Sequence, residues 1–427
     1  MKKSPFLLKA SLCLALALSG ATLFGAAPAV VATPPEGSGL SAERLGRMDA
    51  VMQDYIARKQ VAGALVLLKR DGKDVFLKPY GLMDIEKGKP MQTDTIFRMA
   101  SMSKAITTVA ALILYEEGKF LLKDPVSKYI PEFRNSMVAI PAPAGSPEGT
   151  KFVLVPAHHQ ITIRDLMTHS AGLTYGDGPA KELYEKAGLT GWYFADRKEQ
   201  IGELMRRLGS LPLNGQPEEA FMYGYSTDLL GYLVEVVSGM PLDKFIEQRI
   251  TKPLGMPDTS FFLPPEKADR LMNVYGLEDG KLVLKETAEN SDYVRGPRAC
   301  FGGGAGLLST ANDYGRFLQM LLNGGELDGV RILSPKTVEL ARSNHVGDHF
   351  RFDQDAFGLG FWVIDELGRY GELGSEGSYG WGSAYFPQYF IDPKERMVGV
   401  FLTQLKPAGD CDLNRKFKVL SYQAVVK

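Results

Sequence analysis

The chain has 427 residues, 45% of them hydrophobic and 23% charged, with a formal net charge of −1. That balance is ordinary for a globular protein and suits one large two-part body. It argues against nucleic-acid binding, since no Lys/Arg-rich run accompanies it.

Lys2, Lys3 and Lys9 precede the apolar run Leu12 to Leu18, and small residues follow at Ala26, Ala27, Ala29 and Ala32. Basic, then apolar, then small is the order of a cleavable secretory signal, so residues 1–32 are assigned to one and the product to the periplasm or medium. A membrane anchor is the competing reading, but the run is short and is broken by Gly20 and Pro28. No stable membrane insertion is expected. Loss of the three lysines takes the net charge from −1 to −4. Cys300 and Cys411 would remain, and two isolated cysteines in a chain this long read as separate thiols before they read as a disulfide.

Ser41 to Lys59 carries Leu45, Met48, Val51, Met52 and Tyr55 at helical spacing, with Ser41 as N-cap. Two β-rich runs, 61–70 and 74–78, flank Asp71-Gly72-Lys73, a hairpin signal. Next comes Phe97 to Leu114, an apolar segment of helical character that Gly118 should stop. Residues 119–285 read as mainly helical with long loops: 140–156, rich in Pro and Gly, is loop, Ser226 to Gly239 is a helix, and 254–259 is a turn. A helix from Ala311 to Leu322 follows. Strands are expected at 357–364, 380–386, 389–393 and 397–403, then a short C-terminal helix. The fold class is therefore α+β. Residues 33–118 and 286–427 form an α/β subdomain around an antiparallel sheet, and 119–285 form a mainly helical subdomain.

Within the third element stands Ser101-Met102-Ser103-Lys104, the one Ser-x-x-Lys of the chain. On a helix the Ser and Lys side chains share a face and can meet. A helix entrance also offers unpaired N–H groups to a developing oxyanion. A Lys among Met99, Ala100 and Met102 has no nearby carboxylate in sequence, and apolar surroundings favour its neutral, basic form. Such a pair is an activated nucleophile that still needs a second hydroxyl or base. Tyr223 and Tyr225, at the entrance to the Ser226 helix, are the candidates.

Other chemistries fit less well. The chain has no Gly-x-Ser-x-Gly elbow and no His-Glu-x-x-His. His345 and His349 are four apart, but Gly347 and Asp348 between them indicate a loop. Gly302 to Gly306 is not a phosphate loop, since no Gly-Lys-Ser/Thr follows; it should bring backbone close to the cleft or turn the sheet.

Taken in order, these motifs resemble the class C β-lactamase superfamily, and within it the family VIII carboxylesterases. The resemblance is carried by Ser101 to Lys104, His169-Ser170-Ala171-Gly172-Leu173, the Tyr223 segment, Pro253-Leu254-Gly255-Met256, the stretch from Gly302 to Leu322, and Gly380-Trp381-Gly382. It implies a β-lactamase-like fold and a Tyr that shares the base role with Lys104. Counting back from Leu230-Gly231 places Tyr223 there and Tyr225 where the β-lactamases have Asn; a shifted register would make Tyr225 the catalytic one. His169 resembles a position of structural type. The third β-lactamase motif, Lys-Thr-Gly, is missing: Lys336-Thr337-Val338 lacks the Gly and follows a helix-start Ser334-Pro335. Instead, Trp381-Gly382-Ser383 is similar to the esterase Trp-Gly-Gly.

By that match the N–H groups of Ser101 and Ala384 form the oxyanion hole, and Trp381, Gly382 and Tyr225 line the substrate site. The competing reading of Trp381 is a core or edge-strand aromatic. Without the motif Lys, a β-lactam carboxylate loses its cation, and a neutral ester is favoured. The resemblance thus implies a serine carboxylesterase acting on a small-molecule ester through an acyl-serine, with no metal or cofactor. A cephalosporinase-type β-lactamase, or a D-amino-acid peptidase, amidase or transesterase of the same superfamily, is the alternative. A binding module without turnover would have no use for Ser101, Lys104 and Tyr223 together.

Overall fold

The computed structural model describes Met1, residues 27–348 and residues 356–427. The basic and apolar stretch of the expected signal, and His349, lie outside the described residues. None of the described helices is long and apolar enough to cross a membrane.

The chain opens as the spacing predicts. Helix α1 (Ala42–Ala57) is capped by the Ser41 side chain on the Arg44 N–H and buries Leu45, Met48, Met52 and Tyr55. Strands β1 (Gly63–Arg70) and β2 (Lys73–Asp84) pair antiparallel across the Asp71-Gly72 turn, and β3 (Lys89–Pro90) extends the edge. The late strands are β4 (Ala356–Phe357), β5 (Trp362–Val363), β6 (Tyr379–Gly382), β7 (Gln388–Asp392) and β8 (Met397–Leu402). Together they form an eight-stranded antiparallel sheet in the order β4-β5-β6-β7-β8-β1-β2-β3. β1 is buried along its whole length because early and late chain close around it, β8 on one side and β2 on the other.

Alternate residues of a strand face opposite ways. Phe390 and Phe401 meet Phe417 of the C-terminal helix (Leu413–Tyr422), which also packs on α1. On the other face Tyr389 meets Tyr314 of the helix Ala311–Leu322. Sheet and flanking helices thus follow the α+β expectation.

Two expectations are corrected. The single strand at 357–364 is a tight hairpin, β4 and β5, because Gly358 and Gly360 turn the chain; Gly360 has φ of 81°. The loop at 140–156 instead contributes to a hairpin, Met137–Pro141 with Phe152–Pro156, with most of its Pro and Gly residues in the connection. A second hairpin, Val274–Glu278 with Lys281–Glu286, closes the helical part. Cys300 and Cys411 are free thiols.

Candidate active site

The nucleophile turn is pinned from several directions. Phe97–Arg98 pairs with Leu308–Ser309, the Met99 N–H donates to the Leu307 carbonyl, and the Arg98 N–H donates to Gln404 Oε1. The fully buried Arg98 guanidinium reaches Glu286 and the Met272 carbonyl, both at 2.7 Å. Ala100 is held at φ of 39°, a conformation costly for a residue with a Cβ and typical of functional turns. Ser101 follows in a 3-10 turn (Ala100–Met102) that runs into helix α2 (Ser103–Glu116).

Lys104, in the first turn of α2, is 2% exposed, and its Nζ lies 3.3 Å from Ser101 Oγ, 3.1 Å from the Tyr175 hydroxyl and 2.8 Å from the Gly304 carbonyl. Those are three acceptors for the three N–H bonds of an ammonium. Lys104 makes no direct ion pair among the described residues. Its Nζ also stands 4.6 Å from the centre of the Tyr223 ring.

The structure separates the two candidate tyrosines. Tyr223 is half-buried at the cleft, and its hydroxyl accepts the Trp381 indole N–H at 3.2 Å. Tyr225 is fully buried, stacks on Phe194 and donates its hydroxyl to the Gly191 carbonyl at 2.7 Å. Tyr225 therefore points into the protein interior, which corrects its assignment to the substrate site and leaves Tyr223 as the one of the two candidates that meets Lys104. Trp381 is also corrected in part. It is 7% exposed, enclosed by Tyr223 and Phe357, so it acts on Tyr223 and presents little surface to a substrate.

Gly382 and Ala384 are half-buried at the end of β6, and this strand packs against the Ala100–Met102 turn. Ala384 belongs to a small apolar cluster with Ala100, Ala305, Tyr385 and Trp192. Ala384 therefore lies beside the nucleophile turn.

Two residues were not found by sequence reasoning. Tyr175 touches Lys104 from the loop after His169-Ser170-Ala171-Gly172-Leu173, and its ring meets Tyr223 and Tyr225 edge-on. Burial, with Tyr223 and Asp228 nearby, holds its hydroxyl protonated well above the usual phenol range. The signal for it was the Gly172 turn: φ there is 73°, and a Cβ would lie 2.1 Å from the Gly215 carbonyl oxygen. Asp228, in helix α3 (Ser226–Ser238), is the other. His169 is buried beneath Tyr223 with ring centres 4.8 Å apart, and burial plus the Lys104 charge hold it well below the usual imidazole range. A neutral His169 supports the Tyr223 ring, in line with its structural reading.

The stretch Gly302 to Gly306 brings backbone against α2 and α3, with the Thr107 hydroxyl on the Gly303 carbonyl at 2.8 Å. Beside it lies a cavity of about 810 Å³ lined in part by Phe261, Phe262, Phe301 and Leu307. None of Ser101, Lys104 and Tyr223 lines that cavity, so it is not the cleft of the chemistry. No group of three His, Cys, Asp or Glu that could hold a metal occurs among the described residues.

A fold that brings Ser101, Lys104 and Tyr223 together beside an antiparallel sheet has a counterpart in known proteins. The family model described as Beta-lactamase matches residues 48–423. The chain belongs to the Beta-lactamase family. Among curated relatives, Protein Rv1367c of Mycobacterium tuberculosis (strain H37Rv) is 33% identical over 366 residues, covering 81% of this chain and 86% of that one. Esterase EstB of Burkholderia gladioli is 30% identical over 387 residues, 86% of this chain and 92% of its own. Among solved structures, EstCE1, described as a hydrolase with promiscuous acyltransferase activity, superposes with a TM-score of 0.73 at 27% identity, covering 90% of this chain and 99% of that one. The β-lactamase-like fold and the serine-hydrolase superfamily follow, with esterases among the relatives.

Proposed function

We propose that this member of the family is a serine carboxylesterase. The observation that carries the reading is Lys104 Nζ, which stands 3.3 Å from Ser101 Oγ while its other side faces Tyr223. In its neutral form Lys104 exchanges one N–H bond for a lone pair and accepts the Ser101 proton, with Tyr223 sharing that load. Ser101 Oγ then bonds to the ester carbonyl carbon. The N–H groups of Ser101 and Ala384 receive the oxyanion, each worth roughly 3–4 kcal/mol in the transition state. The proton passes to the departing alcohol, the acyl group stays on Ser101, and water activated by the same pair releases the acid. No cofactor enters these steps.

Trp381 supports the ester over the β-lactam: an indole holds Tyr223 where a lysine would hold a substrate carboxylate. The names of EstB and EstCE1 and the architecture of EstCE1 support the same reading. Export belongs to the proposal too, on the order of residues in 1–32, and the N-terminal sequence of the protein recovered from a bacterial periplasm tests it. The activity is tested by hydrolysis of a short-chain p-nitrophenyl ester beside a chromogenic cephalosporin, for wild type and Ser101→Ala. Ser101-dependent ester cleavage that exceeds cephalosporin turnover is expected. Dominant cephalosporin turnover would overturn the ester preference and favour the β-lactamase alternative.

A further inference from the structure

The glycine loop has a charged group behind it. Asp228 is 0% exposed, in the first turn of α3, and its Oδ1 accepts the Gly304 N–H at 2.9 Å. The carbonyl of that same Gly304 accepts from Lys104 Nζ at 2.8 Å. Residue 304 is thus a bridge with a carboxylate at one end and the catalytic amine at the other. A Cβ at 304 would lie 2.6 Å from Asp228 Oδ2, so any larger residue there would push the carboxylate aside. That Oδ2 has no hydrogen-bond partner among the described residues. A buried carboxylate with a free oxygen is costly, and an Asn would give Gly304 the same acceptor without burying a charge. What only the carboxylate adds is charge.

We propose that Asp228 is a positioning residue for Lys104: through Gly304 it fixes where the amine stands, and its charge sets how firmly the amine holds its proton. The proposal rests on the acyl-serine reading above. The ionisable groups facing Asp228 are Lys104 from α2, Tyr175 from the loop after Leu173, Tyr225 at the entrance to α3, and Cys300 before the glycine loop. Burial keeps Tyr175, Tyr225 and Cys300 neutral, so Lys104 is the partner that responds to its charge. Around Lys104 itself stand the Tyr223 ring and His169, which burial keeps neutral. Burial pushes the Asp228 carboxyl up to about 6, against the pull of Lys104 and the Gly304 N–H. The negative charge is therefore present at neutral pH and stabilises the Lys104 ammonium.

The test measures the rate at which an alkyl fluorophosphonate labels Ser101, as a function of pH, in wild type, Asp228→Asn and Asp228→Ala. This readout needs no ester substrate. Asp228→Asn keeps the acceptor for Gly304 and loses the charge, so the acid limb should move to lower pH by roughly one unit or more. Asp228→Ala loses both, and its labelling should fall roughly 10- to 100-fold at every pH, as for a displaced catalytic group. Wild-type rates and pH profiles in both variants would overturn the proposal while leaving the acyl-serine reading intact. A wild type that the probe does not label overturns that reading, and this one with it. If the Asp228 variants do not fold, as judged by circular dichroism, Gly304→Ala keeps Asp228 but displaces the bridge. Slower labelling is then expected, and an unchanged rate would overturn the proposal.

Discussion

The nucleophile turn (97–104) and the tyrosine segment (221–228) meet at Lys104, yet they are fixed by different forces. The turn is fixed largely through backbone: a short strand pair, the Met99 and Arg98 amides, and the Met102 carbonyl, which accepts the Tyr314 hydroxyl at 2.9 Å. The tyrosine segment is fixed at its cleft end mainly by rings, with Tyr223 packed among His169, Phe221, Tyr175 and Trp381, and one backbone bond from Met222 to His169. Backbone anchoring tolerates side-chain change, whereas ring packing does not. Ser101 should therefore keep its place under substitutions nearby, and the base should be the part that is easily lost.

Three substitutions grade that contrast, and two on the buried side measure what it costs. Ser101→Ala should reduce ester hydrolysis on the order of 10⁴-fold or more, with the melting temperature unchanged, because the turn does not depend on the side chain. Tyr223→Phe keeps the ring packing and removes the hydroxyl; kcat should fall roughly 10²- to 10⁴-fold, the range of a lost acid–base group. An activity near wild type would show that Tyr175, whose hydroxyl is bonded to Lys104, is sufficient. Trp381→Phe removes the N–H that orients Tyr223, and a loss of about tenfold in kcat is expected for one hydrogen bond. Steady-state kinetics check all three. On the buried side, Tyr225→Phe and Tyr314→Phe should each leave kcat within about twofold and cost about 1 kcal/mol in denaturant unfolding. A large loss of activity in Tyr225→Phe would restore Tyr225 to the catalytic role.

The smallest effect concerns pH. Asp228 is protonated more readily in the folded chain, up to about 6, than at its ordinary value of 3.8. Between those values the folded state binds the extra proton, so the Asp228 contribution to stability falls as pH rises through that window. Asp228→Asn lacks this term. Its melting temperature should exceed that of wild type above pH 6, and the difference should shrink as pH falls towards 3.8. A constant difference across that window would contradict the sign.

The contrast also explains what could be read from the chain. Ser101 and Lys104 were legible because i and i+3 meet on any helix, whatever surrounds them. α1, the first hairpin and the Ala311–Leu322 helix were legible for the same reason: capping, turn chemistry and periodicity are local. Tyr175 reaches Lys104 across 71 positions and Asp228 acts through Gly304, 76 positions away, and no local pattern encodes such distances. The choice between Tyr223 and Tyr225 needed the fold, since both sit at one helix entrance and only packing decides which side chain enters the cleft. The hairpin at 137–156 was hidden because Pro141, Pro143, Gly145, Pro147 and Gly149 dominate its composition, though they mostly build its connection.

The central claim is an acyl group carried by Ser101. Mixing the enzyme with p-nitrophenyl acetate, quenching in acid and sequencing the peptides by mass spectrometry tests it directly. The account predicts an acetyl group on the peptide that contains Ser101, absent in Ser101→Ala and longer-lived in Tyr223→Phe. Ester hydrolysis that proceeds with the acetyl group on another residue, or that persists in Ser101→Ala, would contradict it.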